Sequence, residues 1–176
     1  MTIAVNLSEL KTVFSLHSSR ALPICAPDTN ILLLFLSAQT DISLLRTFKR
    51  VQAFNSQDVD LLSIVLQPFR RFVTTPHVLA ETGNFIEQAP LYRRADLLET
   101  YRSFIADQDE IYEDARSLTD RDEFLALGLA DTGLSSLSSR FTVITMDFLL
   151  TGKIQQAGGS VINFQQVRAQ KIHPWA

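Results

Sequence analysis

The sequence predicts an α/β protein, a three-layer α/β/α sandwich built around a mostly parallel central sheet of about five strands. Short apolar or β-branched segments alternate along the chain with longer segments in which apolar residues recur at helical spacing. Such alternation favours a parallel sheet covered by helices on both faces. The 176 residues, 46% of them hydrophobic and 20% charged, suit one soluble domain with a single core.

Two parts of the chain differ in organisation. Residues 1–20 precede the first predicted strand and contain a predicted short helix from Ser8 to about Leu16, with Leu10, Val13 and Phe14 on its apolar stripe. We interpret these residues as an N-terminal extension and residues 21–176 as one domain.

The strands are predicted from β-branched and apolar runs that end in turn or polar residues. Pro23 and Pro27 limit the first strand to about four residues, because proline cannot donate a hydrogen bond to a neighbouring strand. The fourth strand is the clearest, since it is dense in aromatic and β-branched residues. The predicted strands are 22–26, 71–75, 110–113, 141–145 and 160–164.

The helices are predicted from apolar spacing and from their start signals. Asp28 can cap a helix that runs to about Ala38. Thr75 and Pro76 are a strong helix start, with a capping side chain followed by proline. Further helices are expected on either side of a break at 55–57, over 91–105, after a cap at Thr119 or Asp120, over 129–137 and over 148–156.

Charge and composition exclude several classes of protein. A net charge of −3 argues against binding nucleic acid through bulk positive charge, although an enzyme whose acids hold cations stays compatible with it. The single cysteine, Cys25, excludes an internal disulfide and a cysteine-based zinc cluster. The longest apolar run, 31–36, is too short to cross a bilayer, and the N-terminus has no secretory signal pattern. We therefore predict a cytoplasmic protein that does not bind a membrane.

Two aspartates lie just after predicted strands. Asp28 comes after the first strand and Asp147 after the fourth. Because the carboxyl ends of parallel strands meet at one edge of a sheet, where open α/β sheets bind ligands, both side chains are candidates for one site. Asp28 has an alternative role as an ordinary helix N-cap.

Two further acids interrupt apolar helix faces. Glu81 shares a face with Val78 and Phe85, and Asp131 lies between Leu127 and Leu134. A buried carboxylate is costly unless a cation or hydrogen-bond donors meet it. Alternatively, Glu81 reaches solvent or pairs with His77. Asp131 could instead cap a helix that restarts after Gly128.

Four carboxylates without cysteines or paired histidines favour Mg²⁺ or Mn²⁺ over zinc. A cation held in this way leaves coordination positions for phosphate oxygens and supports in-line displacement at a phosphodiester. This donor set therefore points to nuclease chemistry.

Four short segments carry a resemblance to a known family. In order, residues 28–32, 79–81, 129–131 and 143–147 resemble the acidic signature of the PIN domain family, most closely the bacterial and archaeal single-domain kind that includes toxin nucleases. The resemblance covers residues 22–164 and implies Mg²⁺- or Mn²⁺-dependent RNA cleavage that leaves 3'-hydroxyl and 5'-phosphate ends. It also implies catalytic and metal-binding roles for Asp28, Glu81, Asp131 and Asp147, supported by Thr29, Asn30 and Thr145.

The sequence also departs from this family pattern. Pro27 stands before the first acid where an aliphatic residue is usual, the chain has an N-terminal extension, and the helical region between Asp28 and Glu81 is long. The expected partners are an RNA substrate, an antitoxin protein and a second copy in a homodimer. The alternative hypothesis is a non-catalytic PIN-like module that binds protein or RNA, motivated by the acid-rich segment 107–123 and the N-terminal extension.

Overall fold

A parallel five-stranded sheet forms the centre of the protein in the computed structural model, which describes residues 23–172. The strand order is β3-β2-β1-β4-β5, and every adjacent pair is parallel. The strands are β1 (Ile24–Pro27), β2 (Arg71–Thr74), β3 (Asp109–Glu110), β4 (Thr142–Thr145) and β5 (Val161–Asn163).

Helices connect these strands and complete a three-layer α/β/α sandwich, as the sequence predicted. They are α1 (Thr29–Thr40), α2 (Leu44–Thr47), α3 (Ser56–Leu66), α4 (Pro76–Ile86), α5 (Leu91–Asp107), α6 (Ala115–Thr119), α7 (Phe124–Leu137), α8 (Phe148–Gln156) and α9 (Phe164–Ile172).

The central strand β1 explains how the chain accommodates a proline inside the sheet. Its pairing with β2 ends at Cys25, opposite Phe72, whereas its pairing with β4 continues to Pro27, opposite Ile144. Pro27 is therefore paired on one side only, and its missing N–H costs the sheet no bond with β2. The pairing with β4 extends to the backbone N–H of Asp28, which donates a 2.8 Å hydrogen bond to the carbonyl of Ile144.

Helix α1 is the core of one helical layer and is packed on most sides. Its residues Ile31, Leu32, Leu33, Leu34 and Leu36 are all buried. It contacts both α4 and α5 as well as β1 and β4. A helix that is apolar nearly all round belongs in the interior, so the dense apolar run that follows Asp28 determines this position.

Several predicted boundaries were wrong. The helix expected before the break at 55–57 is reduced to the single turn of α2, because Phe48 has an extended backbone (φ −101°, ψ 108°) and ends it. Phe48 and Val51 are nevertheless buried, so apolar residues in turns gave the appearance of helical spacing.

Further differences lie in the second half of the chain. The cap predicted at Thr119 or Asp120 is wrong, because these residues end α6, a short helix that was not predicted and is capped by the side chain of Asp114. The helix expected after that cap begins at Phe124 without a side-chain cap, and it joins the helix predicted over 129–137 at the Gly128 kink to form α7. The C-terminal helix α9 was not predicted. The helix predicted at residues 8–16 lies outside the described residues.

None of the helices within residues 23–172 combines the length and the apolar character needed to cross a membrane.

Candidate acidic site

The strand order reverses between β1 and β4, and this is where the candidate site lies. β1 leads towards β2 and β3 on one side, whereas β4 returns to the other side of β1 and leads to β5. Ligands of open α/β sheets bind beyond the carboxyl ends of strands at such a switch point. Asp28 and Asp147 follow the two strands that meet there.

Asp28 is only 4% exposed and both of its carboxylate oxygens accept hydrogen bonds. Oδ1 accepts a 2.7 Å bond from the N–H of Ile31 and thereby caps α1. Oδ2 accepts bonds of 2.6 Å from Oγ1 of Thr145 and 2.9 Å from the N–H of Met146. Asp28 is therefore the N-cap of α1, as the alternative interpretation of the sequence proposed. The same carboxylate also connects the end of β1 to the end of β4.

Burial raises the pKa of Asp28 above its ordinary value, because a charged carboxylate loses its hydration inside the protein. The hydrogen bonds from Thr145, Ile31 and Met146, together with the N–H of Asn30, favour the charged form and offset part of that rise. This carboxylate therefore has donors that stabilise its charge but no cationic side chain beside it among the described residues.

Glu81 lies on α4 and is half-buried. Its Oε2 accepts a 2.7 Å hydrogen bond from Oγ1 of Thr29, the first residue of α1. No hydrogen bond or ion pair joins Glu81 to His77 within residues 23–170, and the buried Nε2 of His77 has no hydrogen-bond partner there. Thr29 therefore fixes Glu81 on the side of α4 that faces the end of β1.

Asp131 lies inside α7, one turn after the kink. Gly128 has φ 74° and ψ −177°, a conformation that is essentially restricted to glycine, and the helix continues beyond it. Oγ1 of Thr132 donates a 2.6 Å bond to the carbonyl of Gly128 and closes the first turn after the kink. Asp131 is thus held within the second part of the helix rather than at its cap.

The negative charges of the other three acids act on Asp131. Burial, followed by the negative charges of the other three acids, raises this pKa to about 7; the three are Asp28, Asp147 and Glu81. Like charges raise a carboxyl pKa only when they are close enough to interact. The four acids, from the end of β1, α4, α7 and the end of β4, are therefore near enough for the charges of three of them to act on Asp131.

Asp147 is the most exposed member of this group. Its Oδ1 accepts a 2.8 Å bond from the N–H of Leu150 and caps α8. Its own N–H donates a 2.9 Å bond to Oγ1 of Thr145, and its carbonyl accepts from Nδ2 of Asn163 at 3.3 Å. Thr145 therefore links the two strand-end aspartates through one hydroxyl.

Sequence reasoning selected Thr29 and Thr145, which contact the acids directly, and Asn30, whose side chain is exposed and whose backbone N–H acts on Asp28. It missed the N–H of Met146, for which a sequence has no signal, and it missed Asn163. Asn163 had a usable signal, because it is the polar last residue of a strand at the same sheet edge.

The four acids are of the chemical type that binds hard divalent cations. All four side chains are carboxylates, and none forms an ion pair with Lys, Arg or His in the described part of the chain. Within residues 23–170, however, no group of three or more His, Cys, Asp or Glu side chains is arranged so that it could hold a metal ion. Carboxylates are ligands that suit Mg²⁺ or Mn²⁺. In this structure, however, the carboxylates of Asp28 and Glu81 accept hydrogen bonds from donors of the protein itself.

Comparison of the sequence with protein-family models and with curated proteins gives no match. The fold and the site define an α/β protein with an acidic cluster at the switch point of a parallel sheet.

Proposed function

We propose that this protein is a metal-dependent ribonuclease of the PIN type. The observation that carries the proposal is that Thr145 contacts both Asp28 and the backbone of Asp147, while Thr29, next to Asp28, bonds Glu81. None of these acids forms an ion pair with a cationic side chain in the described residues. Burial, followed by the charges of these three acids, raises the pKa of Asp131 to about 7. A structure that places uncompensated like charges near one another lowers its own stability, and a functional site is a common reason for such an arrangement.

Asp28, Glu81, Asp131 and Asp147 would hold Mg²⁺ or Mn²⁺. When bound, the cation would bring phosphate oxygens to an otherwise acidic site, activate water and stabilise the charge of an in-line displacement. Thr145 orients Asp28 and the backbone of Asp147, while Thr29 orients Glu81. Asp131 would lose its proton near neutral pH, since its pKa is about 7.

RNA is proposed as the substrate from the resemblance to PIN domains. The net charge of −3 supplies no general attraction for nucleic acid, so binding of the substrate would depend on the cation. We also propose that a small antitoxin protein controls the enzyme if it acts as a toxin, by placing a basic side chain among the acids.

Cleavage of structured and unstructured RNA in Mn²⁺, compared with the same reaction in EDTA, tests this proposal. The Asp28→Asn variant is expected to lose activity. Asp114→Asn is the matched control, because Asp114 also caps a helix through its side chain but does not act on Asp131. Cleavage that survives EDTA or Asp28→Asn would refute the proposed mechanism.

A non-catalytic binding module is the second candidate, and one observation favours it. No group of acids within residues 23–170 is arranged to hold a metal, and both oxygens of Asp28 are already bonded to protein donors. Calorimetric titration with Mn²⁺ at low ionic strength separates the candidates. Saturable binding that Asp28→Asn weakens supports the nuclease, whereas the absence of binding supports the module.

A further inference from the structure

A basic segment follows the C-terminal end of α1. Residues 42–57 contain Arg46, Lys49 and Arg50 but no Asp or Glu, so this segment carries a charge of +3 in a protein whose net charge is −3. All three side chains are exposed, and none forms an ion pair in the described part of the chain. These three residues are referred to below as the basic patch.

The two acids that border this segment are paired with arginines from elsewhere in the fold. Asp41 bonds Arg93 at 2.6 Å, and both oxygens of Asp58 bond Arg168. Glu87, the C-cap of α4, is exposed and forms no ion pair with the patch. Within residues 23–170 the charge of the patch is therefore not neutralised by the protein itself, and the patch fits an anionic partner.

Arg50 is held in a fixed position by two contacts. Its guanidinium lies 3.9 Å from the centroid of the Phe85 ring, and its Nε donates a 3.0 Å hydrogen bond to Oε1 of Gln88. Its two terminal nitrogens have no hydrogen-bond partner among residues 23–170. An arginine that stacks on a ring and is held through Nε can direct these two nitrogens at the oxygens of a phosphate.

Phe85 connects the basic patch to the acidic site. It follows Glu81 by four residues on the same face of α4, about 6 Å further along the helix axis. Long side chains in a helix lean towards its N-terminus, so the ring of Phe85 is directed towards the turn that carries Glu81. Arg50 therefore lies about one helical turn from an acid of the candidate site.

We propose that the basic patch binds the phosphate backbone of the RNA strand on one side of the cleavage site. The terminal nitrogens of Arg50 bond a phosphate next to the one at the acids, and Lys49 and Arg46 attract the phosphates that follow. Such contacts position the strand and carry no base specificity. They supply locally the attraction that the net charge does not. The inference rests on the proposed function for the identity of the strand, whereas phosphate binding by the patch can be measured separately from cleavage.

Binding of a fluorescein-labelled single-stranded RNA of about 12 nucleotides to the full chain tests the patch. Fluorescence anisotropy is measured in EDTA at a series of salt concentrations, so that no metal ion contributes. We expect Arg50→Gln to weaken binding several-fold and to reduce the slope of log K against log salt by about 0.7. The triple variant Arg46→Gln, Lys49→Gln, Arg50→Gln should reduce this slope by about 2. Arg50→Lys keeps the charge and should keep most of the slope.

Arg140→Gln is the matched control. Arg140 is also exposed, forms no ion pair in the described residues and lies over a phenylalanine ring, that of Phe141. It precedes β4 and is therefore at the end of that strand opposite to Asp147. Equal losses for Arg50→Gln and Arg140→Gln, an unchanged salt slope in the triple variant, or no RNA binding by the unmodified protein at the lowest salt would overturn the proposal. So would competition by poly-glutamate as effective as that by unlabelled RNA, which would assign the patch to an acidic polypeptide.

Cleavage in Mn²⁺ distinguishes this inference from the proposed function. Arg50→Gln should raise KM several-fold and leave kcat close to that of the unmodified protein, because a backbone contact away from the reacting phosphate is equally strong in the ground state and the transition state. Cleavage with an unchanged KM in the triple variant would refute the role of the patch and leave the nuclease standing. RNA binding that depends on the patch, without any cleavage, would refute the nuclease and leave the patch standing.

Discussion

Oγ1 of Thr145 donates a 2.6 Å hydrogen bond to Oδ2 of Asp28 and joins two strand ends that lie 117 residues apart in the sequence. The same hydroxyl oxygen accepts a 2.9 Å bond from the N–H of Asp147. Thr145 is completely buried, so water cannot replace either bond. One threonine therefore sets the separation of the two aspartates that follow β1 and β4.

Replacing Thr145 by valine is expected to lower stability and, under the proposed function, affinity for Mn²⁺. The change keeps the shape but removes a donor to Asp28, which costs about 1–3 kcal/mol of the free energy of unfolding. A residue that orients a metal ligand typically contributes about 10–100-fold in affinity. Urea unfolding and Mn²⁺ titration measure the two effects.

Thr142→Val is the control for that variant. Thr142 lies at the other end of the same strand and its hydroxyl pairs with Oγ of Ser160 at 2.9 Å, away from the acids. Its replacement should alter stability but leave Mn²⁺ affinity unchanged. Equal loss of affinity in both variants would show that Thr145 acts through general stability alone.

Asp131→Asn is expected to stabilise the metal-free protein at pH 8 by on the order of 1–3 kcal/mol. The folded-state pKa of Asp131 is about 7, above the ordinary value of 3.8. Between those two values the folded protein retains a proton that the unfolded chain has released. The contribution of Asp131 to stability therefore falls as pH rises through this window.

Chemical denaturation at pH 4 and pH 8 in EDTA tests this expectation. The gain from Asp131→Asn should be present at pH 8 and should largely disappear at pH 4. Asp60, an exposed acid on α3, provides the control, and Asp60→Asn should change stability by less than about 0.5 kcal/mol. A gain that is equal at both pH values would refute the electrostatic explanation.

Two glycines in helices should respond to alanine in opposite directions. Gly128 has φ 74° and ψ −177°, so Gly128→Ala forces a side chain into a strained backbone and should cost about 1–3 kcal/mol. A Cβ added at Gly152, inside α8, meets nothing within 4 Å. Gly152→Ala should therefore gain about 0.5–1 kcal/mol from helix propensity.

The two glycine variants should also differ in their effect on the candidate site. Because the kink at Gly128 orients the turn that carries Asp131, the proposed function predicts that Gly128→Ala also weakens Mn²⁺ binding, whereas Gly152→Ala does not. Thermal unfolding and Mn²⁺ titration of both variants measure these effects. Destabilisation by both changes would contradict the structural explanation.

A bidentate ion pair between Arg168 and Asp58 ties α9 to α3. Nε and one terminal nitrogen of Arg168 bond the two oxygens of Asp58 at 2.8 and 3.0 Å, and the same terminal nitrogen bonds the carbonyl of Ala53 at 3.1 Å. The exposed fractions of the two side chains are 20% and 11%. Arg168→Met would leave a largely buried carboxylate without its cation and should cost about 3 kcal/mol.

Arg102→Met is the comparison for that change. Arg102 pairs with Glu99 on the surface of α5, where the two side chains are 78% and 60% exposed. Its loss should cost less than about 1 kcal/mol in the free energy of unfolding. Similar values for the two variants in guanidinium unfolding would mean that the Arg168 pair is no stronger than a surface pair.

The sequence alone determined the order and type of most elements. The β-branched run at 142–145 and the Thr75-Pro76 start carry their signal in adjacent residues, so β4 and α4 were predicted within two residues of their observed ends. α2 and α9 were not predicted correctly. The burial of Phe48 and Val51 comes from turns that only the packed core selects, and helical spacing in the sequence cannot be distinguished from that pattern.

The residues of the candidate site could be predicted from the sequence, but the contacts between them could not. Asp28 and Asp147 could be selected from the sequence because a strand end is a local feature, and Glu81 and Asp131 because an acid interrupts an apolar face. That Thr29 would hold Glu81, and that Thr145 would bridge Asp28 and Asp147, was decided only by the tertiary structure. The physical reason is that a hydrogen bond between residues 117 apart depends on strand order and register, which pair β1 with β4 after the chain has passed through β2 and β3.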